Sequence, residues 1–257
     1  MTSLPEILSA ATPIDGGLRM EIPANWMQGR TSYGGLSSAL ALHAAQQIAP
    51  DLPPLRSAQI SFVGPLAGQV DVSARLIRRG KNAAWVQADV VSDLGLGLAA
   101  TFVFVRDMDS KVAFSDAPAP DFPMPGPDTV TYKGPKGFFI NNFELVDDRS
   151  DARGKSEWLR WVRLDEREGL DPMVHLIAVA DALPPAAFKL LGGPASVSSM
   201  TWLCNLLTPE PKTRDGWWLL RAVSEYAANG CSSQTMAIWN ADGDPIATQM
   251  QSVAIFV

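Results

Sequence analysis

Between Gly17 and Ile22 the apolar residues Leu18, Met20 and Ile22 alternate with Arg19 and Glu21, the pattern of a strand with one buried face. At Gly34-Gly35 the period changes. Leu36, Leu40, Ala44 and Ile48 then recur at helical spacing until Pro50, which predicts a helix from about Gly35 to Ile48, apolar on one face and entered through a glycine turn. Period two returns with Ile60 and Phe62, continues through Val70, Val72, Ala74 and Leu76 to Gly80, and is repeated from Trp85 to Val91 and from Leu98 to Val105. One long helix followed by a run of antiparallel strands predicts an α+β unit rather than a doubly wound sheet.

Residues 116–136 carry Pro118, Pro120, Pro123, Pro125, Pro127 and Pro135, which remove backbone donors and predict a linker with little to pack. Beyond it the first pattern returns. Strands are expected at about Gly137–Val146 and Glu157–Leu164, and Asp171-Pro172 supplies an N-cap and first-turn pair for a second helix. A glycine turn at Gly192-Gly193 and three or four more strands follow, the last two (Thr235–Asn240 and Ile246–Val257) joined by the hairpin turn Ala-Asp-Gly-Asp at 241–244. QISFVGPL at 59–66 matches SMTWLCNL at 199–206, and RRGK at 78–81 matches ANGC at 228–231. Each match is weak alone; in the same order, each set preceded by a helix, they indicate an internal duplication.

The second helix is the more informative of the two. In VHLIAVADALPPAAF, residues 174–188, Asp181 is the one acid in an otherwise uncharged stretch. Pro184 and Pro185 end the helix within a turn of it. A carboxylate buried near a helix C-terminus is disfavoured both by desolvation and by the helix dipole, so its pKa rises towards the range of a general base. The other reading is an aspartate that caps a loop or pairs with an arginine.

Composition narrows the function. The 257 residues are 47% hydrophobic with mean hydropathy +0.04, enough for a core of one large domain or two smaller ones. No run approaches a membrane span, and the N-terminal residues lack the pattern of an export leader. The two cysteines, Cys204 and Cys231, are too few for a disulfide framework or zinc cluster, so a cytoplasmic setting with structural thiols is expected. A net charge of −6 and a pI near 4.9 argue against nucleic acid as a partner. His43 and His175 each lie on an apolar helix without a metal-like companion, and no metal or cofactor is expected.

The helix GRTSYGGLSSALALHAA, the strand ISFVGPL, the ADALPP segment, the SMTW strand and the C-terminal ATQMQSVAIF, in that order, resemble the acyl-CoA thioesterase II-like family. The resemblance covers nearly the whole chain. It implies two tandem hotdog units, each a long helix wrapped by an antiparallel sheet, packed sheet to sheet as a double hotdog. The units would span 1–115 and 137–257, with 116–136 between them. It implies hydrolysis of acyl-CoA to free acid and CoA in fatty acid metabolism, by a water held among Asp181, Ser199 and Gln251 of the second unit. Gln59 would stand in the first unit where Ser199 stands in the second, and Phe104 where Gln251 stands, leaving no second copy of the site. Two departures are a serine in place of the more familiar threonine, and Gln249 as a rival amide on the same strand face.

The residues support that chemistry independently. Thioester hydrolysis needs a positioned water, a base and donors where the oxyanion forms. Asp181 is the candidate base, with the Ser199 hydroxyl and Gln251 amide to orient the water. Backbone N–H groups at Gly34 and Gly35, at a helix N-terminus, are candidate oxyanion and substrate donors. The basic run of Arg75, Arg78, Arg79 and Lys81 is a weaker candidate for CoA phosphates, against the simpler reading of a solvated strand end. Trp202, Trp217, Trp218 and Trp239 are expected in the core, with one or two free to line an acyl tunnel. Two other functions fit less well: a non-catalytic acyl-CoA binder, and a hydratase or dehydratase of enoyl or hydroxyacyl thioesters that would use a histidine. Exposed sheet edges leave homo-oligomerisation open.

Overall fold

The computed structural model describes residues 1–148, 153–193 and 195–256. The first half runs α1 (Leu4–Ser9), β1 (Thr12–Ile14), β2 (Gly17–Ile22), a short β3–β4 pair (Met27–Gln28 and Thr31–Ser32), α2 (Gly34–Gln46), β5 (Leu55–Phe62), β6 (Gly68–Arg79), β7 (Ala83–Ser92) and β8 (Gly95–Val105). The second runs β9 (Phe143–Asp147), β10 (Glu157–Leu164), α3 (Pro172–Ala180), β11 (Ser196–Leu206), β12 (Trp217–Ala228), β13 (Cys231–Trp239) and β14 (Pro245–Phe256). Val257, expected at the end of the last strand, lies outside the described residues. The strand expected from Gly137 starts later, because Phe139–Asn142 forms a 3₁₀ turn. Among the described residues no helix is long and apolar enough to cross a membrane.

Twelve strands form one antiparallel sheet in the order β1-β2-β6-β7-β8-β5-β11-β14-β13-β12-β10-β9. Outward from the centre both halves repeat the same sequence of strands. They meet edge to edge at β5 and β11, where Ile60 pairs with Trp202, and not sheet upon sheet as the sequence reading expected. The reason is that β5 and β11 would otherwise each be an open edge, and pairing satisfies both rows of backbone groups.

Helices α2 and α3 pack against each other within the same main core and run antiparallel. Gln46 Nε2 at the end of α2 donates to Asp171 Oδ1 at the start of α3 (3.0 Å), and Tyr33 Oη at the start of α2 donates to Ala178 O near the end of α3 (2.8 Å). The periodicity predicted one apolar face for α2. In fact Leu36, Ala39, Leu40, Ala41, Leu42 and Ala45 are all buried, because strands cover part of the helix and α3 another. Ile48 falls beyond the helix and is exposed.

Bulges fix how the two halves correspond. Arg56 is the extra residue between the pairs Leu55↔Phe104 and Ser57↔Val103, as Met200 is between Ser199↔Val253 and Thr201↔Ser252. Ile77 in β6 and Glu225 in β12 form a second matching set, next to the pairs Leu76↔Val86 and Ser224↔Gln234. Aligned on these irregularities, Leu55 matches Ser199, Phe102 matches Gln251 and Val86 matches Gln234. The expected partners Gln59 and Phe104 are therefore corrected: a match by sequence alone does not count the bulges.

The proline-rich segment is irregular but packed, contrary to expectation. Trp239 Nε1 donates to Ala117 O (2.8 Å) and Trp161 Nε1 to Phe122 O (3.1 Å). Ala119, Phe122 and Met124 lie on a separate apolar cluster of Leu159, Trp161, Trp217, Leu219 and Trp239. Val162 and Leu164, on the other face of β10, join the main core instead. The segment thus covers an apolar patch on the side of the sheet away from the helices, and its carbonyls serve as acceptors where its prolines offer no donors.

Candidate active site at the junction of α2 and α3

Asp181 is the C-cap of α3, its own N–H bonded to Val179 O, and the two prolines that follow turn the chain into a 3₁₀ segment at Ala186–Leu190. The antiparallel packing brings its side chain to the opposite end of α2. A Cβ added to Gly34 would fall 2.6 Å from Asp181 Oδ2 and 3.0 Å from the Phe62 ring, and one added to Gly35 would fall 2.5 Å from the Tyr33 ring. Glycine is needed at both positions for close approach, not for an unusual φ. The carboxylate therefore sits between two helix ends of opposite sign, and only the α3 end disfavours its charge.

Gln251 Nε2 donates to Asp181 Oδ1 (2.9 Å). Behind it, Gln234 Nε2 on β13 donates to Gln251 Oε1 (2.7 Å), and Gln234 Oε1 accepts from the backbone N–H of Ala186 (2.8 Å). Asp181 is enclosed on most sides yet keeps an edge in solvent. Burial pushes its pKa up to about 7, while the Gln251 amide and the Gly35 N–H pull it back down. The Gly35 N–H is thus directed at Asp181, and not at a substrate oxyanion as the helix-end position alone suggests.

Ser199 stands opposite Val253, two residues along β14 from Gln251, so the two side chains share the helix-facing side of the sheet. Among the described residues its hydroxyl makes no direct hydrogen bond to Asp181 or Gln251. The rival amide is turned elsewhere: Gln249 Oε1 accepts from Trp202 Nε1 (2.8 Å). Gln234 was missed by sequence reasoning. The signal was its inward place in the alternation Ser232, Gln234, Met236, Ile238, where a buried amide requires a partner.

The remaining candidates fall outside this cluster. Arg78 and Arg79 close β6, five strands from β14 in the sheet, and Arg79 is engaged by Asp51 (2.7 Å). Lys81 is exposed in the turn after them. His175 packs edge-on against Trp218 (6.0 Å between ring centres), and burial lowers its pKa to about 4. Cys204 is buried and its thiol is pushed up to about 12, which keeps it protonated. Trp202 and Trp218 belong to the main core, while Trp217 and Trp239 form the patch under the proline-rich segment. Among the described residues no three His, Cys, Asp or Glu side chains gather as a metal-ligand set.

Comparison with known proteins agrees with this architecture. The chain superposes on a conserved hotdog-fold protein of unknown function from Alicyclobacillus acidocaldarius with TM-score 0.87 at 21% identity, covering 100% of this chain and 99% of that one. It superposes on the tesB protein of Mycobacterium avium subspecies paratuberculosis with TM-score 0.79 at 19% identity, covering 98% and 99%. For the acyl-CoA thioesterase II TesB2 of Mycobacterium marinum the TM-score is 0.74 at 16% identity, covering 98% and 96%. At these identities the likeness establishes a hotdog fold. No curated protein sequence matches. The sequence profile of the acyl-CoA thioesterase N-terminal domain matches residues 22–105, and that of the C-terminal domain matches residues 115–255. With both profiles matched along most of its length, the chain belongs to the acyl-CoA thioesterase family.

Proposed function

We propose that the protein is a double hotdog, with units 1–115 and 137–257 joined by residues 116–136, that hydrolyses acyl-CoA using a water deprotonated by Asp181. The observation that carries this reading is a carboxylate raised by burial to about 7 and held by a single side-chain amide beside a glycine helix N-terminus. A base with a pKa near neutrality has enough ionised form and enough basicity to work at the pH of a cell.

In the proposed reaction, water lies between Asp181 and Ser199, and the second Gln251 amide hydrogen orients it. Asp181 takes one proton as the water oxygen bonds to the thioester carbonyl carbon. The Gly34 N–H faces the resulting oxyanion at the start of α2, where the helix dipole favours negative charge. Collapse breaks the carbon–sulfur bond, the free acid forms, and the proton on Asp181 passes to the leaving thiolate. No covalent enzyme intermediate is formed.

The matching positions in the first half are Leu55, Val86 and Phe102, all apolar and buried, which supports a single site per chain. The hydratase reading has no such support, since His175 packs on Trp218 and His43 bonds to Gln47 at the end of α2 opposite Gly34. The test is release of free thiol from acyl-CoAs of graded chain length by wild type and Asp181→Asn. Turnover in wild type that falls by about 100-fold or more in the variant is expected. Tight binding without thiol release would identify a binding protein instead, and full activity in Asp181→Asn would remove the base.

A further inference from the structure

We propose that Gln234 is a positioning residue, which sets the direction in which the Gln251 amide faces Asp181. This rests on the reading of Asp181 as the base. The series begins at a group that cannot be reversed: the Ala186 backbone N–H is a donor only. It therefore holds the Gln234 oxygen, which turns the Gln234 NH₂ towards Gln251. Gln251 must then present its oxygen to Gln234 and its NH₂ to Asp181. One main-chain donor, in the segment that follows the acid, thus orients two side-chain amides on neighbouring strands.

The fold contains its own control. In the first half the same two positions are Val86 and Phe102, paired across β7 and β8 as Gln234 and Gln251 are paired across β13 and β14. Val86 and Phe102 are fully buried, as is Gln234, so packing of the unit does not call for amides there. Burying two amides is unfavourable unless each is bonded, and here Gln251 is bonded to Gln234 and Asp181, and Gln234 to Gln251, the Ala186 N–H and Met236 Sδ. Their presence in the half that carries Asp181 is explained by what they do to it.

Without Gln234 the Gln251 amide is free to rotate and present its oxygen to the carboxylate, which only a protonated Asp181 tolerates. The groups around Asp181 leave few other sources of such a shift. The entry to α2 brings the Tyr33 phenol, itself raised by burial and by the Asp181 charge, while Gly34, Gly35, Phe62, Gln234 and Gln251 are uncharged.

The test is the titration of the Asp181 carboxyl by carbon-13 NMR, with acyl-CoA turnover measured alongside, in wild type, Gln234→Met and Gln234→Glu. In Gln234→Met the Asp181 midpoint is expected to move to higher pH, and kcat at neutral pH to fall by about 10-fold to 100-fold with KM little changed. Gln234→Glu keeps the acceptor for Ala186 and, once ionised, can only accept from Gln251, so its loss of activity should deepen as pH rises. An unmoved Asp181 midpoint in folded Gln234→Met, with or without a lower kcat, overturns the proposal. If Gln234→Met does not fold, the same criterion is applied to Gln234→Leu, which likewise brings no charge near Asp181. If wild type releases no thiol, the hydrolase reading fails, and the carboxyl titration still decides the role of Gln234.

Discussion

Asp181 Oδ2 occupies the space in which a side chain on Gly34 would begin, only 2.6 Å from the position of an added Cβ. The acid belongs to the second half of the chain and the glycine to the first. Substituting Gly34→Ala must displace the carboxylate or the Phe62 ring. Turnover is expected to fall by about 100-fold through misplacement of the proposed base. Overpacking should lower stability by about 1–3 kcal/mol. Thiol release and thermal unfolding of the purified variant check both; wild-type turnover would mean that the carboxylate is not used in the position described.

The raised pKa of Asp181 makes a signed prediction about stability. Its folded value of about 7 lies above the ordinary 3.8. Between those values the native state binds a proton that the unfolded chain does not, so this group's contribution is complete below the ordinary value and is lost as pH rises through about 7. Asp181→Asn removes the titration. The difference in melting temperature between variant and wild type should therefore grow in the variant's favour from pH 4 to pH 8, by roughly 1.4 kcal/mol of stability per pH unit at most. Activity should run the opposite way, rising as Asp181 ionises near pH 7. A constant difference in melting temperature would place the carboxyl at an ordinary pKa.

Tyr33 offers a clean deletion. Its ring stacks on Phe139 at 4.1 Å, and its hydroxyl donates to the Ala178 carbonyl near the end of α3. Tyr33→Phe keeps the ring and strips one helix-end carbonyl of that partner, at a cost of about 1–3 kcal/mol. A fall of several degrees in the unfolding midpoint is expected, and no change would show that the carbonyl finds another donor.

Limited proteolysis separates the two parts of the connection between halves. Residues 106–116 are exposed throughout, whereas Ala117, Ala119, Phe122 and Met124 are partly buried against the second half. Trypsin should cut first at Arg106 or Lys111, and the fragments should stay together through the β5–β11 pairing. Separation of the fragments without denaturant would contradict the pairing described.

What the sequence makes legible follows from what its patterns encode. Alternation fixed most strand positions, including β10 to the residue, and the lone acid in an apolar stretch pointed to Asp181. Gln251 comes into view through family resemblance alone, and its rivalry with Gln249 is not resolved by a strand on which both face inward. Bulges at Arg56 and Met200 leave no mark in the alternation, so the correspondence between halves slipped. The packing of the proline-rich segment was hidden for a related reason: its bonds are accepted by carbonyls, which every residue has. Gln234 needed a partner on another strand, and strand neighbours are not written in the local pattern.

The pairing of β5 with β11 has a consequence for kinetics in dilute solution. Were the acid and the facing glycine supplied by separate molecules, their encounter would weaken with dilution and rate per molecule would fall. Joined in one polypeptide, they meet at a local concentration that the solvent volume cannot alter. Specific activity should hold level down to the lowest protein concentration at which it can be measured.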